Sequence, residues 1–111
     1  MNKKKYYYFY DKDYDDLLIF WRSEKRNVYV YQNYIDYLNN DPWIFTLYPY
    51  YKITSIKQLR KEMKIISKYE KEKLNIEVNY KEVKSKSRIA ALTYSQRSKS
   101  YDVKTDSYIK R

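Results

Sequence analysis

Not one of the 111 residues is glycine, and that absence limits the fold more than any motif in the chain. Glycine supplies the positive-φ backbone that tight hairpins and phosphate-cradling loops require. Other residues reach it at a steric cost, which Asp and Asn bear best. P-loops and dinucleotide-binding loops are therefore excluded, because their close backbone approach needs glycine. The connections are predicted to be longer, polar and built on Asp and Asn. Cys and His are absent as well. Their absence removes disulfide scaffolds, zinc knuckles, iron–sulfur sites and thiol nucleophiles. It also removes the usual general base and the commonest transition-metal ligand. A non-catalytic binder with no small-molecule cofactor and no metal is the reading that survives.

The periodicities predict an α+β fold in one domain over residues 1–83, an antiparallel sheet of about four to five strands with one long helix packed on it. Lys5–Tyr10, Leu17–Arg22 and Val28–Gln32 are aromatic, apolar or β-branched runs separated by polar breaks, the pattern of a three-stranded meander. Asn33–Asn40 reads as one or two helical turns capped by Asn33, ended by Asp41-Pro42. Trp43–Leu47 reads as a fourth strand, with continuation towards Ile53 limited by Pro49. From about Thr54 to Leu74, Ile56, Leu59, Met63, Ile66 and Tyr69 recur at helical steps behind a Thr54 or Ser55 cap. Leu74, Ile76, Val78 and Tyr80 then alternate with polar residues as a strand does. Residues 84–111 read as a basic Ser/Lys/Arg-rich extension, with Ile89–Leu92 starting a short helix capped by Ser87 and the remainder ordered on binding.

The formal charge is +10, distributed as +1 over 1–53, +3 over 54–83 and +6 over 84–111. Lys84, Lys86, Arg88, Arg97, Lys99, Lys104, Lys110 and Arg111 in the extension are candidate polyanion contacts, because Lys and Arg neutralise phosphates and release counterions. Lys57, Arg60, Lys61, Lys64 and Lys68 on the long helix extend that set. The competing reading is a solvated tail and an ordinary charged helix face. Tyr94, Tyr101 and Tyr108 are placed to stack on unpaired bases. Seventeen tyrosines add a second possibility. On strands, Tyr6 and Tyr8 share a face, as do Tyr29 and Tyr31, giving a stacking or protein-interface surface. The alternative is compositional, with Tyr serving as an amphipathic packing residue.

Two further patterns fail their templates. Asp11-Lys12-Asp13-Tyr14-Asp15-Asp16 begins like a calcium loop but has Asp16 where Gly is needed and Arg22 where the bidentate Glu belongs. Glu77 with Glu82-Val83-Lys84 is a faint version of a metal-nuclease strand, easily reached by chance in a chain 34% charged. No 18-residue apolar stretch and no secretory leader is visible, so a cytosolic protein without membrane contact is expected. Lys, Tyr, Ile, Asn and Phe fill 55 positions against 4 for Gly, Ala and Pro. That bias implies an AT-rich gene, as in phages, plasmids, viruses and some bacteria. The expected partner is nucleic acid or a protein–nucleic-acid complex. The alternative is an inhibitor of a host defence or polymerase complex, anti-CRISPR-like, that docks through protein contacts. A ribonuclease toxin working without His ranks third.

Overall fold

A computed structural model describes residues 4–12, 15–47, 53–74 and 80–100. It is an α+β fold in which β1 (Tyr6–Asp11), β2 (Asp16–Ser23), β3 (Val28–Asn33), β4 (Phe45–Thr46) and β5 (Tyr80–Val83) form one antiparallel sheet. The strand order is β4-β3-β2-β1-β5, which leaves β4 and β5 at the edges. The helices are α1 (Tyr34–Leu38), α2 (Ile56–Leu74) and α3 (Lys86–Ser100).

The turns solve the missing-glycine problem as its chemistry demands. Among the described residues, positive φ falls at Asp15 (51°), Asn27 (55°) and Asn40 (58°), the residue types whose short polar side chains tolerate it. Asn27 closes the β2–β3 turn with its N–H bonded to the Ser23 carbonyl at 2.7 Å. Asn33 caps α1, its Oδ1 accepting the Ile35 N–H at 2.9 Å. At the start of α2, Ser55 Oγ accepts the Gln58 N–H at 3.3 Å while Gln58 Oε1 accepts the Thr54 N–H at 3.1 Å, a reciprocal arrangement that satisfies two donors of the first turn.

Alternation along the strands gives the sheet two apolar faces, and both are covered. On one, Phe9, Phe20 and Tyr29 enclose Leu59 and Met63 of α2 in a cluster with Leu47 and Ile53. On the other, Leu17 meets Ile89 and Leu92 of α3, while Ile19, Trp21 and Val30 lie beneath Tyr34 and Tyr37. The single covering helix expected from sequence is therefore corrected to helices on both faces. The buried stripe of α3 is Ile89, Leu92, Thr93 and Gln96, at positions i, i+3, i+4 and i+7. Two of the four are polar, so the stripe hides from a hydrophobicity pattern. Each finds a partner: Thr93 Oγ1 donates to the Ile89 carbonyl at 2.8 Å and Gln96 Nε2 to the Asp15 carbonyl at 3.2 Å. The helix also begins before Ser87, since the Ile89 N–H bonds the Ser85 carbonyl at 3.0 Å.

The fourth strand is shorter than the expected Trp43–Leu47. Gln32, buried on β3, donates to the Asp41 carbonyl at 2.7 Å and the Trp43 carbonyl at 3.1 Å. A side chain thus takes the place of ladder bonds before Phe45. The alternating segment expected from Leu74 to Tyr80 is a strand from Tyr80 onward; residues 75–79 lie outside the described residues.

Candidate functional site

The cations singled out in the sequence divide between the two helical layers. On α2, Lys57, Lys61, Lys64 and Lys68 are exposed and spaced by four, three and four residues. That places them in one stripe about 16 Å long at 1.5 Å per residue. None of them enters an ion pair among the described residues. Arg60 does: its guanidinium grips Glu82 of β5 through two hydrogen bonds, Nε to Oε2 at 2.9 Å and Nη2 to Oε1 at 3.0 Å. That contact fixes α2 against the edge strand and raises the Arg60 pKa. Lys84, Lys86 and Arg88 are exposed at the β5–α3 junction. Because α2 and α3 cover opposite faces, their described cations lie on opposite sides of the sheet, and Lys81 is exposed on the edge strand β5. Arg97 and Lys99 fall on the final turns of α3. Lys104, Lys110, Arg111, Tyr101 and Tyr108 lie outside the described residues, as does Glu77.

The tyrosines also divide. Register pairs Tyr6 with Trp21 and Tyr8 with Ile19, whereas Tyr29 and Tyr31 pair with Arg22 and Phe20, so the two sets stand on opposite faces. Tyr6 packs on Tyr37 at 5.7 Å, Tyr8 edge-on to Tyr34 at 5.6 Å, and Tyr31 stacks on Phe20 at 5.2 Å. Burial raises the pKa of Tyr8, Tyr29 and Tyr31. These rings fill the interior between sheet and helices. Among the described rings of the candidate set, Tyr94 stands in solvent, 75% exposed on α3.

One basic site was not visible in the sequence. Lys4, Lys5 and Arg22 line an open depression of about 440 Å³ together with Tyr7, Tyr29, Asn27 and Glu24. It lies at the open end of the β1–β2 hairpin, where Tyr6 pairs with Trp21, five residues from the Asp11–Asp16 pair that closes the ladder. At about 3.4 Å per residue, that end of the ladder and the Asp11–Asp16 pair are separated by about 17 Å. The near-neutral +1 of residues 1–53 therefore conceals a spatial dipole. Arg22 is held by a hydrogen bond to Asn27 Oδ1, at the positive-φ corner of the turn. Burial is the largest influence raising the Tyr29 pKa, and Arg22 and Arg60 pull it the other way. Both guanidinium groups thus lie within electrostatic reach of that hydroxyl. Three cations, two phenol groups and the single carboxylate of Glu24 give this open concavity a net positive lining.

At the other end of the hairpin the chemistry is acidic and enclosed. Asp16 accepts from Asn33 Nδ2, Tyr10 donates to Asp15 Oδ1 at 2.7 Å, and Asp11 is 1% exposed. Among the described residues no group of three or more potential ligands is placed to hold a metal ion. No helix there is long and apolar enough to cross a membrane. No family model, curated protein or solved structure matches the chain.

Proposed function

We propose that the protein is a non-catalytic basic binder that acts on nucleic acid or on a protein–nucleic-acid assembly. The observation that carries this reading is the segregation of charge. Lys4, Lys5 and Arg22 share an open concavity at the end of the β1–β2 ladder about 17 Å from the Asp11–Asp16 pair. The stripe of Lys57, Lys61, Lys64 and Lys68 supplies a second row of exposed cations. Such surfaces meet a phosphate backbone by releasing counterions, without base-specific geometry. A second reading, an inhibitor that docks on a host defence or polymerase complex, is favoured by the exposed apolar edge at Trp43–Phe45.

Binding of the full-length protein to single-stranded and duplex DNA and RNA across a salt series tests the first reading. Affinity is expected to fall steeply as salt rises. Replacing Lys4, Lys5 and Arg22 by Ala, and separately Lys57, Lys61, Lys64 and Lys68 by Glu, is expected to flatten that dependence. Affinity unchanged by both sets of substitutions would overturn it.

A further inference from the structure

Pro42, Trp43, Ile44 and Phe45 are four consecutive exposed residues. Trp43 is 74% exposed, Phe45 53% and Ile44 40%, with Leu38 at the end of α1 also exposed at 45%. Trp43 is not loosely held. Its carbonyl and that of Asp41 both accept from the buried Gln32 amide, and its N–H donates to Asp41 Oδ1 at 2.9 Å. The Asp41 N–H in turn bonds the Asp36 carbonyl at 3.0 Å. A fully buried glutamine and an Asx turn therefore fix the backbone beneath a solvent-facing indole.

The segment leads into β4, which pairs with β3 along one side and is a terminal strand of the sheet. Natural edge strands are commonly guarded by Lys or by an inward charge. This chain has 18 lysines, yet none falls between Tyr34 and Leu47. The only charges in those fourteen residues are Asp36 and Asp41, giving −2, while the remainder of the chain is +12. The apolar edge thus lies in a net-negative stretch of a strongly basic molecule. A second copy is a poor occupant, since two +10 chains repel. We propose that this edge docks a partner protein through an extended apolar segment flanked by Lys or Arg. The segment adds to the sheet beside β4, and Trp43 is the anchoring contact. Backbone pairing supplies affinity in such strand addition, and a pre-placed Trp that docking buries is of a residue type enriched among interface hot spots. The inference rests on the second reading above only in requiring a protein partner.

The probe is a small panel of alternating Val/Thr peptides, flanked by Lys in one set and by Glu in the other, titrated into the full-length protein. Trp43 emission is the readout; Trp21 is buried and reports little change, and Trp43→Phe supplies the background. A saturable blue shift with the Lys-flanked set is expected, with binding about tenfold or more weaker for the Glu-flanked set. Ile44→Lys, which precedes β4 at an exposed position, is expected to abolish the shift while leaving the thermal midpoint unchanged. Substituting Lys57, Lys61, Lys64 and Lys68 by Glu is expected to leave the shift intact, which separates this site from nucleic-acid binding. No shift with either set, an equal shift with both, or Trp43 burial that follows protein concentration without peptide would overturn the proposal. The last outcome would assign the edge to a second copy.

Discussion

Gln96 on α3 donates its amide to the backbone carbonyl of Asp15, 81 residues earlier in the first turn of the chain, at 3.2 Å. Asp15 sits there at a φ of 51° and also accepts the Tyr10 hydroxyl. Helix α3 and the first hairpin therefore secure each other, through Gln96 and through Ile89 and Leu92 packed on Leu17.

Core truncations on α3 test that attachment. Ile89 and Leu92 are 7% and 6% exposed. Leu92→Ala and Ile89→Ala are each expected to lower unfolding free energy by about 2–5 kcal/mol, the usual cost of a large-to-small change in a core. Urea denaturation reads the difference. Losses below about 0.5 kcal/mol, the size of a typical surface substitution, would show α3 undocked.

A double-mutant cycle on Arg60 and Glu82 measures the α2–β5 clamp. The pair is two-pronged but partly exposed, 44% and 20% at the side chains, so a small coupling that shrinks with salt is expected. Glu82→Gln should have a second effect. Arg60 loses its counter-charge close to Tyr7 and Tyr29, so polyanion affinity is expected to rise about two- to fivefold, as one more cation becomes available to phosphate. Unchanged affinity would detach Arg60 from the basic surface.

At alkaline pH the tyrosine hydroxyls should set stability. Burial and then the hydrogen bond to Asp15 push Tyr10 up to about 12 from 10.0, while the hydrogen bond with Tyr6 and then burial do the same for Tyr37. The folded state holds these protons at a pH where the unfolded chain releases them. Their contribution is therefore fully present below pH 10 and is lost as pH rises towards 12. Tyr10→Phe and Tyr37→Phe are expected to make the decline shallower. Denaturant midpoints across that interval, followed with tyrosinate absorbance, provide the check; a slope identical to wild type would overturn the assignment.

Asp16 acts in the opposite pH range. Burial, ahead of the neighbouring Asp11 charge, raises its carboxyl above 3.8, although Asn33 and Gln96 pull it down. A carboxyl whose folded pKa is raised penalises the fold once ionised. The penalty is complete above the folded pKa and is relieved as pH falls through it. Asp16→Asn removes the charge and leaves an oxygen for Asn33 to donate to. Its stability advantage over wild type is expected to be largest near neutrality and to shrink as pH falls towards 4. An advantage independent of pH would show that the carboxyl is not buried as described.

The central elements were legible because their patterns are strong: β1 to β3 by composition and polar breaks, α1 by the Asn33 cap, α2 by its apolar stripe. Helix α3 was only partly legible, because Thr93 and Gln96 take half of its buried stripe and donate hydrogen bonds there that no hydropathy scale registers. The face assignment of the tyrosines was half legible. Alternation groups Tyr6 with Tyr8 and Tyr29 with Tyr31, but only cross-strand register reveals that the two groups point oppositely. Lys4, Lys5 and Arg22 went unseen for a different reason. Charge summed along the chain cancels them against Asp11–Asp16, and only pairing the strands moves the two sets to opposite ends of one hairpin.

A chain with no glycine, whose described left-handed turns fall to Asp15, Asn27 and Asn40, also enters folding stiffer than one punctuated by glycine. Every residue carries a Cβ, so the unfolded ensemble samples fewer backbone states at each position, and less entropy is surrendered when the five strands align. Opposing this is a small local strain at three corners, kept low by the Asx side chains. Asn27→Gly would exchange one for the other at a single position: an easier corner in the native state, and a looser chain before it forms.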